Sequence, residues 1–570
     1  MSSQQCNTIN RPDNDLKVNR ILTYLLAVVL LFISCTHEPE TEVIISDDLT
    51  PSPGATIYGK VTCAGAPVPG VCVSDGVNIV QTDEDGVYSI CSSKRDGLVF
   101  ISIPFGYATQ YSGSTMPSFW KSLKSADADP ERVDFALIKE NQDNYTVLFL
   151  GDIHIYSYQS INIFNSTFVP EINKFIAGSD RPVYGVTLGD MTWDWYWYND
   201  DKIGIEHYIP AMDKVSGIHV FNTVGNHDND MDFNSLDEFR RTGQDWTCMT
   251  QYRKFQGPTC YSYNIGGVHY VSLDNVITTN KGGTTDKDSR GYWRGVTEAD
   301  MNWLKQDLSY VSSDTPVIVT LHIPLFGRTG LPNSGNSGSV NYSVESITAP
   351  FKKFRKVLFI SAHTHILYNT ENYNVNGLSV TEWNNGALCG NFWYSATKGL
   401  NLCTDGTPGG YRVVDVDNGN IKSIYKGIGK KDNYIFRTYD RNMMSLDASK
   451  LGNYTTGGIA GGDNANWVYI NIWDYKPSWT VSVKEIVGDS SRNLQPVMFE
   501  SYDPLYMLMY AEKLVSTKPQ IKSTMFKVQA SSSTSTLIVR VTDEYGNSRV
   551  EQMARPKDFT VEKYMAEQAE

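Results

Sequence analysis

YTVLFLGDIH, residues 145–154, is an apolar run of β-formers that breaks off at Gly151 and ends in Asp152 and His154. A run of that length bounded by glycine reads as a buried parallel strand, and open α/β sheets place their ligands at the carboxyl ends of such strands. Two residues apart in extended chain, Asp152 and His154 point the same way, so both can hold one ion. D-x-H alone is common in turns. Four further strands change its meaning: PVYGVTL runs into Gly189-Asp190, IHVFNTV into Gly225-Asn226-His227-Asp228, PVIVTL into His322, and KVLFIS into Ala362-His363-Thr364-His365. A parallel sheet would set all these ends along one rim. That rim offers the carboxylates of Asp152 and Asp190, the amide oxygen of Asn226, and the imidazoles of His154, His322, His363 and His365, besides His227. Such hard and borderline donors suit a pair of divalent transition ions better than calcium.

Outward from this rim, the 570-residue chain is too long for one hydrophobic core. Its formal net charge of −14 repels polyanions and predicts no nucleic-acid partner. Aromatic content of 12% with frequent turn residues predicts more strand than helix. Residues 1–35 hold basic Arg11, Lys17 and Arg20 before the apolar run ILTYLLAVVLLFISC, too short to span a membrane comfortably and suited to a signal h-region. Its Ser34-Cys35 ending resembles the lipobox of bacterial lipoproteins, although Phe32 replaces the usual aliphatic residue. The resemblance implies an exported, lipid-anchored protein of the cell envelope. Residues 36–53, acidic and Pro-containing, read as a tether. Export permits disulfides, and of the nine cysteines seven lie beyond Cys6 and Cys35, an odd number that leaves at least one unpaired within the chain, with pairing of the others within local groups left open.

From 54 to 140, alternating segments such as TIYGKVT and GVYSI with turns at AGAPVPG and TDEDG predict a small antiparallel sandwich. GKVTCAGAPVPGVCVSDG followed by TDEDGVYSI resembles the carboxypeptidase-regulatory-like, transthyretin-type fold. Residues 143–428 form the central unit, with GGYRVVDVDNGNIKSIYKG around Tyr411 adding two strands to its sheet system. In 429–570, NWVYINIWDY, TVSVKEI, MFKVQA and STLIVRVTDEYGNSRVEQM predict a second β-sandwich, with one helix near Tyr506 to Lys513.

GDIH, GD, GNHD, the lone His of LHIP and a final H-T-H, spread over 151–365, resemble the five blocks of calcineurin-like metallophosphoesterases. The fold this implies is α/β, an αββα sandwich, here flanked by two small all-β sandwich domains. The resemblance implies two divalent transition-metal ions, Mn, Fe, Zn or Co. Asp152, His154 and His365 would hold the first, Asn226, His322 and His363 the second, with Asp190 bridging both. It further implies His227 near the leaving oxygen, oriented by Asp228, as the catalytic pair. A carboxylate is the apt bridge, because a neutral imidazole cannot bind two ions through one nitrogen, and two ions ~3.5–4 Å apart can acidify a shared water for in-line attack.

Three departures bear on activity. Ala362 replaces the glycine usual before H-T-H, a methyl the turn is expected to tolerate. Trp193 stands where purple acid phosphatases carry a tyrosine ligand, and Val224 where protein serine/threonine phosphatases carry an arginine, which argues against both. The aromatic loop 192–200, TWDWYWYND, reads as either a stack for a substrate's organic group or packing against a neighbouring sandwich. Arg328, on a Gly/Ser-rich loop, reads as a phosphate clamp or a solvated residue. His207, His219 and His269 are expected to be structural or exposed. The function expected is hydrolysis of a small phosphate mono- or diester. The alternative is a non-catalytic envelope lipoprotein that binds glycan or protein through its sandwiches, which the complete ligand set disfavours.

Overall fold

The strand Asn144–Leu150 is buried at every position but its first. Its side chains alternate between two cores, as the two-residue period of a strand requires. Tyr145, Val147 and Phe149 enter a cluster with Tyr263, Tyr270, Val319 and Phe359, while Leu148 and Leu150 pack with Phe164, Phe168 and Ile172 of the helix Tyr158–Gly178. That helix starts where Ser157 and Ser160 cap it reciprocally. The structure, a computed structural model, describes residues 49–125, 128–193, 203–229, 244–280, 290–333, 342–455 and 465–569. The signal-like segment with Cys35, most of the tether and positions 194–200 of the aromatic loop lie outside the described residues.

The five motif strands belong to two sheets, a correction to the single rim expected from the sequence. Asn144–Leu150, Val183–Leu188 and His219–Thr223 run parallel in one five-stranded sheet. Val317–Thr320 and Val357–Ser361 run parallel in a second, six-stranded sheet. Neither sheet is wholly parallel, since Gly410–Asp417 pairs antiparallel with Asn144–Leu150 and then with Asn420–Gly427. The apolar inner faces of the two sheets share the cluster described above, and the helix Ile205–Met212 joins Tyr158–Gly178 over the outer face of the first. The result is the expected αββα layering, with the carboxyl ends of both sheets converging on one site.

Before this unit lie two sheets, built on Ile57–Cys63 and on Leu98–Ile101. Ile57–Cys63 pairs parallel with Glu131–Arg132 and Phe135–Lys139, so the expected all-antiparallel pairing does not hold. The module is joined to the catalytic layers through Trp303, on the helix Glu298–Ser309, whose Nε1 donates to Ser74 Oγ at 3.0 Å. After the unit come two four-stranded antiparallel sheets, one ordered Phe436–Asp440, Trp467–Ile472, Ile521–Gln529, Val497–Tyr502, the other Ser490–Leu494, Thr480–Val487, Thr536–Thr542, Ser548–Met553. The helix Pro504–Ala511 begins two residues before the stretch expected from sequence, where Asp503 caps it with Pro504 in its first turn. A final helix, Val561–Ala569, was not expected. All seven described cysteines are free.

Candidate metal centre

Three of the five strands that feed the site end in a backbone turn that ordinary residues avoid. Asp152 (φ +49°), His154 (+46°), Asp190 (+53°), His363 (+71°) and His365 (+53°) all adopt the left-handed region, a conformation costing about 1–3 kcal/mol per residue and characteristic of functional sites. Gly189 (φ +86°) and Gly225 make the turns close enough: a Cβ on Gly225 would overlap the Asp190 amide, and one on Gly189 would press on His322. Ala362 is tolerated for a local reason. The left-handed backbone falls on His363 beside it, and its methyl lies against Gly151, where any side chain would approach to 2.7 Å.

Backbone carbonyls set the imidazole tautomers. Nδ1 donates to Thr192 O in His154 (3.0 Å), to Leu188 O in His322 (2.8 Å) and to Gly390 O in His365 (2.7 Å). Each ring therefore turns its Nε2 inward. His154 Nε2 and His365 Nε2 face each other at 3.2 Å, and His322 Nε2 lies 2.9 Å from Asn226 Oδ1 and 3.1 Å from His363 Nδ1. Asp190 Oδ2 stands between the two groups, 3.1 Å from His322 Nε2 and 3.6 Å from His154 Nε2. Asp152 receives the His363 N–H on Oδ2 at 3.0 Å, while its Oδ1, 3.6 Å from His365 Nε2, is buried without a hydrogen-bond partner.

Acceptors facing acceptors, with an orphaned carboxylate oxygen among them, are the signature of a cradle completed by cations. Protonation agrees with this. Burial pushes His154 well below its ordinary value, His363 down to about 3 and His365 down to about 4, so these rings are neutral donors. Burial also works against a charge on His322, but Asp190's carboxylate outweighs it and raises that ring to about 9. A proton there takes the place a cation would hold. All seven predicted ligands thus meet at one site, and the Asp190 carboxylate belongs both to the group with Asp152 and His154 and to the group with His322 and His363.

His227 is half-buried at the mouth, its N–H donating to Asp190 Oδ1 at 2.8 Å and its ring 5.4 Å from that of His154. Asp228, expected to orient it, does so through the backbone. Asp228 Oδ1 accepts from Thr192 N at 3.0 Å and Oδ2 from Gly225 N at 2.8 Å, so it acts through the backbone of the turn that carries Asn226 and His227. Arg328 is no clamp here, since it donates to Glu500 of the C-terminal sheets at 2.9 Å. His219 stacks on Tyr111, His269 bonds Asn264 and Asp307, and His207 accepts the Gly204 N–H, all structural roles.

Three neighbours of the site had no motif to announce them. Asn275 accepts the His322 and Ile323 N–H groups on one oxygen, at 3.2 and 3.1 Å. Cys389 brings its Sγ to 3.9 Å from His365 Nδ1, with burial pushing the thiol well up. Phe392, at φ +60°, sets its ring 4.4 Å from His365, 4.9 Å from His154 and 4.9 Å from Trp193. The last two lie in a Gly-rich loop whose register to the site depends on folding alone. Phe392 and Trp193 together form an apolar wall on one side of the site.

Family models match the chain in three consecutive blocks: the N terminal of calcineurin-like phosphoesterase over residues 55–140, calcineurin-like phosphoesterase over 145–367, and the C terminal of calcineurin-like phosphoesterase over 382–548. No curated protein matches. Among solved structures the chain is similar to the phosphopantetheinyl hydrolase of Mycobacterium tuberculosis, at 11% identity over 43% of this chain and 91% of that one, with a TM-score of 0.24.

Proposed function

Because this chain belongs to the calcineurin-like phosphoesterase family, whose members are metal-dependent phosphoester hydrolases, we propose that it hydrolyses a small phosphate mono- or diester at a dinuclear centre. The observation that carries the reading is the position of Asp190 Oδ2 between two groups of inward-facing ring nitrogens. Asp152, His154 and His365 would hold one ion, Asn226, His322 and His363 the other, and Asp190 both. When bound, such ions acidify water and draw charge from phosphoryl oxygens. The chain's own groups do the rest. Carbonyl contacts keep the imidazoles in their donor tautomer, the turn braced by Asp228 places His227 at the mouth, and His227 gives its proton or hydrogen bond to the departing oxygen.

Protein purified without chelator should contain about two transition ions per chain. It should hydrolyse p-nitrophenyl phosphate, bis-p-nitrophenyl phosphate or both, lose that activity to a chelator, and regain it with Mn, Fe, Zn or Co. No hydrolysis of either ester with any of these metals would leave the non-catalytic reading in its place.

The wall of Phe392 and Trp193 favours substrates with an apolar or aromatic group beside the phosphate. Phe392→Ala should raise KM for an aryl phosphate by about 2–10-fold, the worth of an aromatic contact, and leave KM for glycerol phosphate and the metal content unchanged. A uniform change across both substrates would remove the wall from substrate recognition.

The basic and apolar segment ending at Cys35 supports export and lipid anchoring to the cell envelope. In cell fractionation the protein should follow membranes, and Cys35→Ser should release it or block its processing. Wild-type protein found wholly in the soluble fraction would contradict the anchor.

A further inference from the structure

The backbone of His365 is held by a turn of the central unit that elements from outside that unit clasp. Thr404 donates to the His365 carbonyl twice, from its N–H and its hydroxyl, both at 3.2 Å. Thr404 opens a buried turn whose next residue, Asp405, accepts the Leu367 N–H on Oδ2 at 3.3 Å and both donors of Thr407 at 3.0 Å. Elements of the C-terminal sheets clasp this turn. Lys522 Nζ, 2% exposed, donates to Asp405 Oδ2 at 3.0 Å, Leu367 O at 2.9 Å and Thr407 Oγ1 at 3.2 Å. The Gln520 N–H donates to Thr404 O at 2.9 Å, Asn471 Nδ2 to Asp405 O at 3.3 Å, and Arg437 Nη1 to Gly406 O at 3.1 Å.

We infer that Lys522 is a positioning residue for His365: through Asp405 and Thr404 it keeps that residue in its left-handed turn and its imidazole on the first metal position. A buried ion pair contributes little stability over an apolar pair of the same size, because both charges must be desolvated. What this pair supplies is geometry, three directed hydrogen bonds from one ammonium to both ends of the Leu367–Thr407 seam. Without them His365, at φ +53°, has a lower-energy backbone to relax into, and Nε2 leaves the cradle. The C-terminal sheets are on this account part of the metal site and not a spacer. The inference rests on the dinuclear reading above.

Metal-free protein titrated with Mn2+, followed by calorimetry and electron paramagnetic resonance, tests it. Unaltered protein should bind two ions with the signature of a coupled pair. In Lys522→Met the site containing His365 should weaken by about 10–100-fold, the usual effect of losing a ligand's outer support, and the coupled signal should give way to that of an isolated ion. Lys557→Met is the control, since Lys557 is also buried but its ammonium, among the described residues, bonds Thr438, Glu551 and Glu567 and nothing near His365. It should lower the melting temperature and leave both sites intact. Should Lys522→Met fail to fold, Thr404→Val removes the hydroxyl bond to His365 alone and should weaken the same site. Two sites of unchanged affinity in the Lys522 or Thr404 variant, or equal weakening in Lys557→Met, would overturn the inference. Protein that binds two ions but cleaves no phosphoester would remove the proposed activity and leave this inference standing, whereas protein that binds no ion would remove both.

Discussion

Asp190→Ala is expected to lower kcat/KM by about 10³–10⁴-fold, the equivalent of several kcal/mol of lost charge stabilisation, and to empty both metal positions together. The carboxylate is buried, reaches the Nε2 atoms of His154 and His322 through one oxygen, and accepts the His227 N–H on the other. Burial alone would raise its pKa, yet the surrounding imidazoles, His322 first, hold it well below the ordinary carboxylate range, so it enters the site already charged. Asp190→Asn separates charge from shape. It can still accept the His227 N–H but cannot neutralise two cations, and should lose metal nearly as fully as the alanine variant. Metal analysis and initial rates on one ester read both effects. Retention of two ions by Asp190→Ala would end the assignment of a shared ligand.

His227→Ala should keep both ions and still lose about 10²–10⁴ in kcat, the range for removing a positioned proton donor. The reason is local. The hydrogen bond from residue 227 to Asp190 comes from the backbone and survives the substitution, and the turn is braced by Asp228, not by the imidazole. The loss should be smallest for esters with an acidic leaving group such as p-nitrophenol, which departs without a proton, and largest for alkyl esters. Equal losses on both, or metal loss matching Asp190→Ala, would show that His227 acts as a ligand and not at the leaving oxygen.

The candidate ligands were legible because each sits shortly after a buried strand. Runs such as YTVLFLGDIH and KVLFISAHTH place an apolar strand, a turn and a chelating side chain within ten residues, and that order survives any arrangement of the strands in space. The layering was implied by the family resemblance, whereas the β-rich flanking segments were legible on the same local grounds. The division of the motif strands between two sheets was not, since alternation says that Tyr145 and Leu148 face opposite cores but not which strands form them. Nor was the hold on His227, for a carboxylate next in sequence found its donors at Thr192 and Gly225.

What the sequence determined by itself is therefore the donor set, its order along the chain and the strand ends that carry it, all consequences of short-range backbone geometry. The tertiary structure alone decided how those donors share space: Asp190 between two groups, Phe392 against His365, and Lys522 reaching Asp405 across 117 positions. Such contacts join residues whose local sequences carry no mark of one another, because they arise only when apolar faces of separate elements are buried together and the polar groups left at the seam must find partners there.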